Sequence, residues 1–206
     1  MTTNDLGFHY RFEPKPGAGR TLVLLHGTGA DENDLIPLGL TLDPKAHLLS
    51  PRGKVLENGM ARFFRRLAEG VFDVEDLKAR THELADFVEA AAQTHDLAGT
   101  QLVAVGFSNG ANIAASTLLL RPTLFRAAVL LRPMVPFEPA EPPDLTDVDV
   151  FVGAGRSDPL IDPASTERLV EMLTACGASV EVLWNPGGHQ LAPPEVHAAT
   201  KWLAGL

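Results

Sequence analysis

One cysteine, Cys176, is all that this 206-residue chain contains. No disulfide can close within it, and no thiolate cluster can hold zinc. A reduced, cytoplasmic setting fits that usage. Cys176 stands late in a helical pattern just before Gly177 and reads as a core filler, not a reactive thiol. Positive charge is also in short supply. Lys and Arg number 17 against 26 Asp and Glu, leaving a net charge of -9. Nucleic acid and anionic membrane both select a basic footprint, so neither is expected as a partner. No apolar run approaches the roughly 18 residues that a spanning helix needs. The opening stretch "MTTNDLGFHYRFEPKPGAGR" has no positive segment followed by an apolar core, so it is not a secretion signal. No stable membrane association is expected. Internal repeats and low-complexity segments are lacking too.

What remains is an ordinary globular balance, 45% hydrophobic and 21% charged. The length suits one domain over residues 1–206 with a sizeable core. "TLVLLHG" (21–27) is a short apolar run stopped by glycine and reads as a buried strand. "AHLLSPRG" (46–53), "TQLVAVGF" (100–107), "RAAVLL" (126–131), "VDVFVGAG" (148–155) and the alternating "SVEVLWN" (179–185) read as further strands. Between them, Leu77, Leu84, Phe87, Val88 and Ala91 fall on one face of a helix over 74–97. "NGANIAASTLLLRP" (109–122) is a helix closed by proline. Another spans 162–177, with Asp162 as N-cap, Pro163 in the first turn and Gly177 as the stop. A last helix covers 194–205. Strands alternating with helices predict a mostly parallel central sheet covered by helices on both faces, an α/β fold. In such sheets the chemistry sits beyond the C-terminal strand ends. The proline-rich "RPMVPFEPAEPPDL" (132–145) reads as a rigid surface loop inside the domain.

The stretch "VAVGFSNGANIAAS" (103–116) asks why a buried strand runs into a serine set between two glycines. A serine hydroxyl is a weak nucleophile until a base takes its proton. A sharp strand-to-helix turn pushes the hydroxyl out of the sheet edge, at the cost of a strained backbone. Side chains two residues to either side would clash, and Gly106 and Gly110 remove that clash around Ser108. Ser108 also lies at a helix N-terminus, where free N–H groups favour negative charge.

Such a serine needs a base and an orienting acid, in the chain order Ser, Asp, His. His197 lies inside the last helix, whereas His189 follows the last strand in the glycine loop "NPGGHQL", at the sheet's C-terminal edge. His189 is the favoured base. Asp144 and Asp147 precede their strand, Asp149 lies within it, and Asp162 has a role as a cap. Asp158, directly after "VDVFVGAG", is the favoured acid, with capping of the Pro159 turn as its bland alternative. An oxyanion would be held by the N–H of Asn109 and by that of Thr28, in the loop "LLHGTGADENDL" (24–35). His26 reads as a loop-packing residue. "GTGADE" has glutamate where the dinucleotide fingerprint wants its third glycine. "DENDLIPLGLTL" lacks the sixth-place glycine and twelfth-place glutamate of a calcium loop, so Asp31, Glu32 and Asp34 are assigned to capping the next helix or to solvent.

"LLHGTGADENDLIPL", "GFSNGANIA", "GRSDPLI" and "GGHQL", in this order and spacing, resemble the phospholipase/carboxylesterase family of α/β-hydrolases over essentially the whole chain. "RGKVLENGMARFFRRLAEGVFD" (52–73) resembles its bacterial branch of carboxylesterases and hydroquinone-linked hydrolases. The resemblance implies a three-layer α/β-hydrolase fold and a triad of Ser108, Asp158 and His189. It also implies oxyanion donors at Thr28 and Asn109, and a role beside aromatic-ring catabolism or quinone stress. Thr28 stands where leucine is frequent and Asn109 where glutamine is frequent. Both act through the backbone, so the hole survives and substrate preference is what changes.

Only residues 132–147 lie where many α/β-hydrolases insert a cap domain, too few for one. Cover must come from "ENGMARFFRRLAEGVF" (57–72), where Met60, Phe63, Phe64 and Phe72 either line an acyl pocket or form the core face of a short helix. Arg62, Arg65 and Arg66 either meet an anionic substrate group or are solvated surface; Met134 is a weaker pocket candidate. The expectation is a serine carboxylesterase for small soluble esters, with no metal or organic cofactor. A thioesterase or lysophospholipase for longer acyl chains is a close alternative. A non-catalytic ligand-binding homologue is one of another class, and it has no reason to retain all five parts. A helix face or edge strand could pair two copies into a homodimer without leaving a mark in the sequence.

Overall fold

A computed structural model describes residues 2–3 and 5–206. Along the chain come β1 (Thr2–Thr3), β2 (Tyr10–Glu13), β3 (Arg20–Leu25), α1 (Ile36–Leu42) and β4 (His47–Pro51). Four short strands follow: β5 (Val55–Glu57), β6 (Met60–Arg62), β7 (Arg66–Ala68) and β8 (Val71–Phe72). The rest alternates: α2 (Val74–Thr94), β9 (Gln101–Phe107), α3 (Asn109–Leu120), β10 (Ala127–Leu131), β11 (Asp149–Gly155), α4 (Pro163–Ala175), β12 (Ser179–Asn185) and α5 (Pro193–Ala204).

Eight strands form one sheet in the order β1-β2-β4-β3-β9-β10-β11-β12. The six from β4 to β12 run parallel, and β1 and β2 add an antiparallel edge. The apolar strands are buried on both faces, as parallel strands under helices must be. Val23 and Leu25 of β3 face one core with Ala104, Leu130 and Val152, while Leu22 and Leu24 face a second with Val105, Val129 and Phe151. Helices α2, α3 and α4 cover the first side; α1 and α5 cover the second. The apolar face foreseen for α2, Leu77 through Ala91, is buried throughout. This is the three-layer α/β-hydrolase architecture. The chain leaves β3 outward to β4 and then returns to β9 on the other side, so the loops after β3 and β9 part at the strands' C-terminal edge and open a crevice there. No helix or strand lies between β10 and β11, so no cap domain sits over that edge.

Two local expectations need correction. Asp31, Glu32 and Asp34 do not cap α1, whose N-cap is Leu35 with no side-chain bond; of the three, Asp34 is exposed to solvent, as the other expectation had it. Glu32 is buried and paired with Arg52, and Asp31 closes a turn by accepting the Asn33 N–H at 2.8 Å. Residues 57–72 hold no helix. They fold as two hairpins, β5–β6 and β7–β8. Asn58 and Gly59, both at positive φ (52° and 80°), make the two-residue turn that hairpin strands favour. Among the described residues, no helix is long and apolar enough to cross a membrane.

Helix α4 starts as the sequence foresaw, with Asp162 accepting the Ala164 N–H and Pro163 in the first turn. Asp162→Ala is therefore expected to lower stability by about 1 kcal/mol in urea unfolding. No measurable change would mean that the cap does not hold the helix.

Candidate active site

Strand β9 ends at Phe107 and α3 begins at Asn109, leaving Ser108 alone to make the turn. Its backbone sits at φ 52°, ψ -114°, a strained conformation for a residue with a side chain. The Ser108 N–H donates to the Leu131 carbonyl at 2.8 Å, which pins the turn to β10. A Cβ at Gly106 would lie 2.5 Å from the Gly110 carbonyl oxygen, and one at Gly110 would overlap the Leu25 carbonyl at the end of β3. The second clash is not with the turn's own neighbours: glycine there lets α3 pack against the end of β3, the strand that leads into the Thr28 loop.

Ser108, His189 and Asp158 meet at the sheet edge. His189 Nε2 lies 3.0 Å from Ser108 Oγ, and His189 Nδ1 lies 2.8 Å from Asp158 Oδ2. With Nδ1 protonated, Nε2 offers a lone pair to the hydroxyl, so the line can draw a proton off the serine. Asp158 is 1% exposed at its side chain, and its other oxygen accepts the Leu160 N–H at 2.9 Å. The turn-capping role and the contact with histidine are thus filled by one carboxylate. The rival residues are elsewhere. Asp144 bonds Thr146, Asp149 pairs with Arg126 and Asp162 caps α4, while His197 is exposed on α5. Glycine also decides the histidine's place: a Cβ at Gly155 would stand 2.5 Å from the Gly188 carbonyl oxygen.

A buried arginine, read from the sequence as the first residue of the surface loop 132–145, instead holds this loop from inside. Arg132, directly after β10, is fully buried. Its Nε donates to the Gly188 carbonyl at 3.0 Å and its Nη2 to the Gln190 carbonyl at 2.7 Å, one on each side of His189. Nη1 donates to the Gly153 carbonyl at 3.1 Å, and Nη1 and Nη2 both donate to the carboxylate of Glu195, in the first turn of α5. All five N–H donors are occupied. Arg132 Nε also lies 3.9 Å from Asp158 Oδ2. The arginine takes φ 61° to do this, a left-handed backbone that costs about 1–2 kcal/mol. A charged residue ending a wholly apolar strand, "AAVLLR", was the signal that pointed to it.

Thr28 and Asn109 both line the cavity over Ser108, and the amide of neither has an acceptor among the described residues. Thr28 sits in the loop after β3, braced by the Gly29 N–H on the Ala61 carbonyl at 2.9 Å. His26 braces it from beneath. Its Nδ1 bonds the Gly27 carbonyl at 2.7 Å and its Nε2 accepts the Gly53 N–H at 2.9 Å. Burial pushes its pKa down, more than its bond to Gly27 raises it. The Asn109 side chain is structural, taking the Phe63 N–H at 2.8 Å, while its Nδ2 is buried without a partner among the described residues.

A cavity of about 500 Å³ opens over Ser108, within the range of small-ligand sites. Phe72 and Met134 line it, with Phe107, Ile161 and Leu160. Three pocket candidates do not. Phe63 and Phe64, in the link between the two hairpins, are buried in the core, Phe63 against His26 and Phe64 edge-on to Phe72. Met60, on the exposed strand end of β6, lies beside Gly29. Of the three arginines only Arg65 is solvated, pairing with Asp73 and Asp76; Arg62 and Arg66 reach the cavity wall, and Arg62 is buried. No group of three or more His, Cys, Asp or Glu side chains among the described residues is placed to hold a metal ion.

Two stability predictions follow from these contacts. Glu195→Ala leaves Arg132 buried without its counter-charge and is expected to cost about 3–5 kcal/mol in urea unfolding; a cost below about 1 kcal/mol would contradict the clamp. For His26, burial lowers the folded pKa, so the unfolded chain takes up the proton first as pH falls below about 6.5. Stability from the neutral ring is complete above that pH and is lost as pH falls toward the folded value. His26→Gln is expected to flatten the dependence of unfolding free energy on pH between about 7 and 5. Equal slopes would contradict this.

Comparison with known proteins identifies the family. The family model described as phospholipase/carboxylesterase matches residues 12–206. The Bacillus subtilis (strain 168) protein named as the hydrolase MhqD is 50% identical over 188 residues, 91% of this chain and 94% of that one. The crystal structure of a Bacillus cereus carboxylesterase superposes with a TM-score of 0.95 at 43% identity, covering 98% of this chain and 96% of that one. An acyl-protein thioesterase 1 of Cryptococcus neoformans is 24% identical over 95% of each chain. The chain belongs to the phospholipase/carboxylesterase family of α/β-hydrolases.

Proposed function

We propose that the protein is a serine carboxylesterase that cleaves small soluble esters through an acyl-enzyme. The observation that carries this reading is the unbroken line from Asp158 Oδ2 to His189 Nδ1 at 2.8 Å and from His189 Nε2 to Ser108 Oγ at 3.0 Å. His189 takes the serine proton as Ser108 Oγ attacks the ester carbonyl carbon. The N–H groups of Thr28 and Asn109 hold the oxyanion, each worth about 3 kcal/mol to the transition state. The tetrahedral adduct collapses, and His189 hands its proton to the departing alcohol. Water, deprotonated by His189, then releases the acid and restores the hydroxyl. Asp158 keeps the ring oriented and offsets its charge while it is protonated.

Family membership supports an esterase-type hydrolase, and the Bacillus cereus structure carries the name carboxylesterase. A thioesterase acting on longer acyl groups is the second reading. It draws on the thioesterase relative and on Leu67 and Val71, exposed on the hairpin whose Glu69 and Gly70 line the cavity. A series of p-nitrophenyl esters from acetate to decanoate separates the two by chain-length optimum.

Ser108→Ala is expected to remain folded and to lower ester hydrolysis by roughly 10⁶ in kcat, with Asp158→Asn falling by roughly 10⁴. Wild type is expected to show a burst of alcohol matched to enzyme concentration. A folded Ser108→Ala protein with near-normal turnover would overturn the assignment.

A further inference from the structure

The proposed reaction has no use for Arg62, yet Arg62 is the buried cation nearest the oxyanion loop. Only 4% of its side chain is exposed. Its Nη1 donates to Thr28 Oγ1 at 2.6 Å and its Nε to the Phe64 carbonyl at 3.2 Å, with Glu57 Oε2 3.4 Å from Nε. Nη2 has no acceptor among the described residues, and Arg62 lines the cavity with Thr28, Ser108 and His189. An arginine keeps its charge when buried, so those free donors stay cationic.

Local acid does not satisfy it. Glu57 gives both oxygens to Arg66, at 2.8–3.1 Å, so two guanidinium groups share one carboxylate. Asp34 and Glu69 also line the cavity, but they are exposed and bond neither arginine. Burial, and after it the charge of Arg66, pushes the Arg62 pKa down, as befits a cation short of counter-charge. Buried charges normally recover their desolvation cost from a partner. Here the residue that carries the open position lines the cavity above Ser108.

The direction of approach follows from the chemistry. A leaving alcohol must face His189 Nε2 to receive its proton, and the carbonyl oxygen must face the Thr28 and Asn109 amides. Arg62 bonds the Thr28 hydroxyl, in the loop of the oxyanion donors, and not His189, which must face the alcohol, so the acyl group is the part of the substrate assigned to it. The threonine is part of the device, since a leucine at that place could accept nothing from Nη1. We infer that Arg62 receives a carboxylate at the far end of the acyl group, so that the preferred substrates are half-esters of short dicarboxylic acids. Water cleaves the ester bond and yields the alcohol and the dicarboxylate. The inference rests on the esterase reading above.

The test is pH-stat hydrolysis of the monomethyl esters of malonic to adipic acid, each against the methyl ester of a neutral acid of matching length. The expected result is a wild-type kcat/KM about tenfold or more higher for the best half-ester, carried by KM, as a charge-assisted contact gives. The ratio falls to about 1 in Arg62→Met and is partly rescued in Arg62→Lys, whose charge lacks the planar fork. Because each ratio is taken within one protein, a general loss from disturbing Thr28 cancels. A wild-type ratio of about 1 or below at every length, or a ratio unchanged in Arg62→Met, would overturn the inference. Calorimetric titration of the half-esters into Ser108→Ala separates the two readings. Arg62-dependent binding without wild-type turnover keeps the carboxylate site and removes the esterase. Turnover of neutral esters with no preference for charge keeps the esterase and removes the carboxylate site.

Discussion

The ion pair of Arg132 with Glu195 is the contact on which the site's geometry depends. One guanidinium fastens the end of β10, the Gly153 carbonyl of β11, the two peptides flanking His189 and the first turn of α5. Those segments come from distant parts of the chain, and none of the other contacts of the histidine loop joins all of them. A buried ion pair is seldom kept for stability, since apolar residues of similar volume often serve as well. Its use here is directional. Five fixed donors define where the Gly188 and Gln190 carbonyls lie, and so where the imidazole between them points. Gly153 belongs to the same arrangement, because a side chain there would occupy the place of the Glu195 carboxylate.

On the other side of the hydroxyl, close approach replaces charge. Helix α3 presses its first turn onto the end of β3 because Gly110 has no side chain. That contact sets Asn109, next to Ser108, on the wall of the same cavity as Thr28. The strained turn at Ser108 is sustained because α3 is buried along almost its whole length and cannot relax outward. The Asn109 side chain then ties the turn to the first hairpin through the Phe63 amide. The hairpins stand in for a cap domain: they deliver Arg62, Arg66 and Phe72 to the cavity wall without closing it.

Much of this was legible from the residues. Strands buried on both faces announce themselves as short apolar runs, and α2 and α4 carry periodicity and caps. The serine turn needs glycine at 106 and 110, so its sequence is nearly forced. His189 and Asp158 could be chosen over their rivals because each directly follows a strand at the productive edge. Residues 57–72 were harder. "MARFFRRLA" has neither clean period, since Phe63 and Phe64 are both buried, and the Asn58-Gly59 turn was the hairpin signal to weigh more heavily. Burial of Arg62 had no local mark, and that of Arg132 only its place directly after an apolar strand, because a buried cation depends on partners 34 and 63 residues away.

The most direct test of the central claim is intact-mass and peptide analysis after treatment with a p-nitrophenyl phosphonate, which traps an activated serine as a stable tetrahedral adduct. The account predicts one adduct per chain, located on Ser108, with loss of ester hydrolysis in proportion to labelling. Full loss of activity with the label on another residue, or undiminished activity in fully labelled protein, would contradict it.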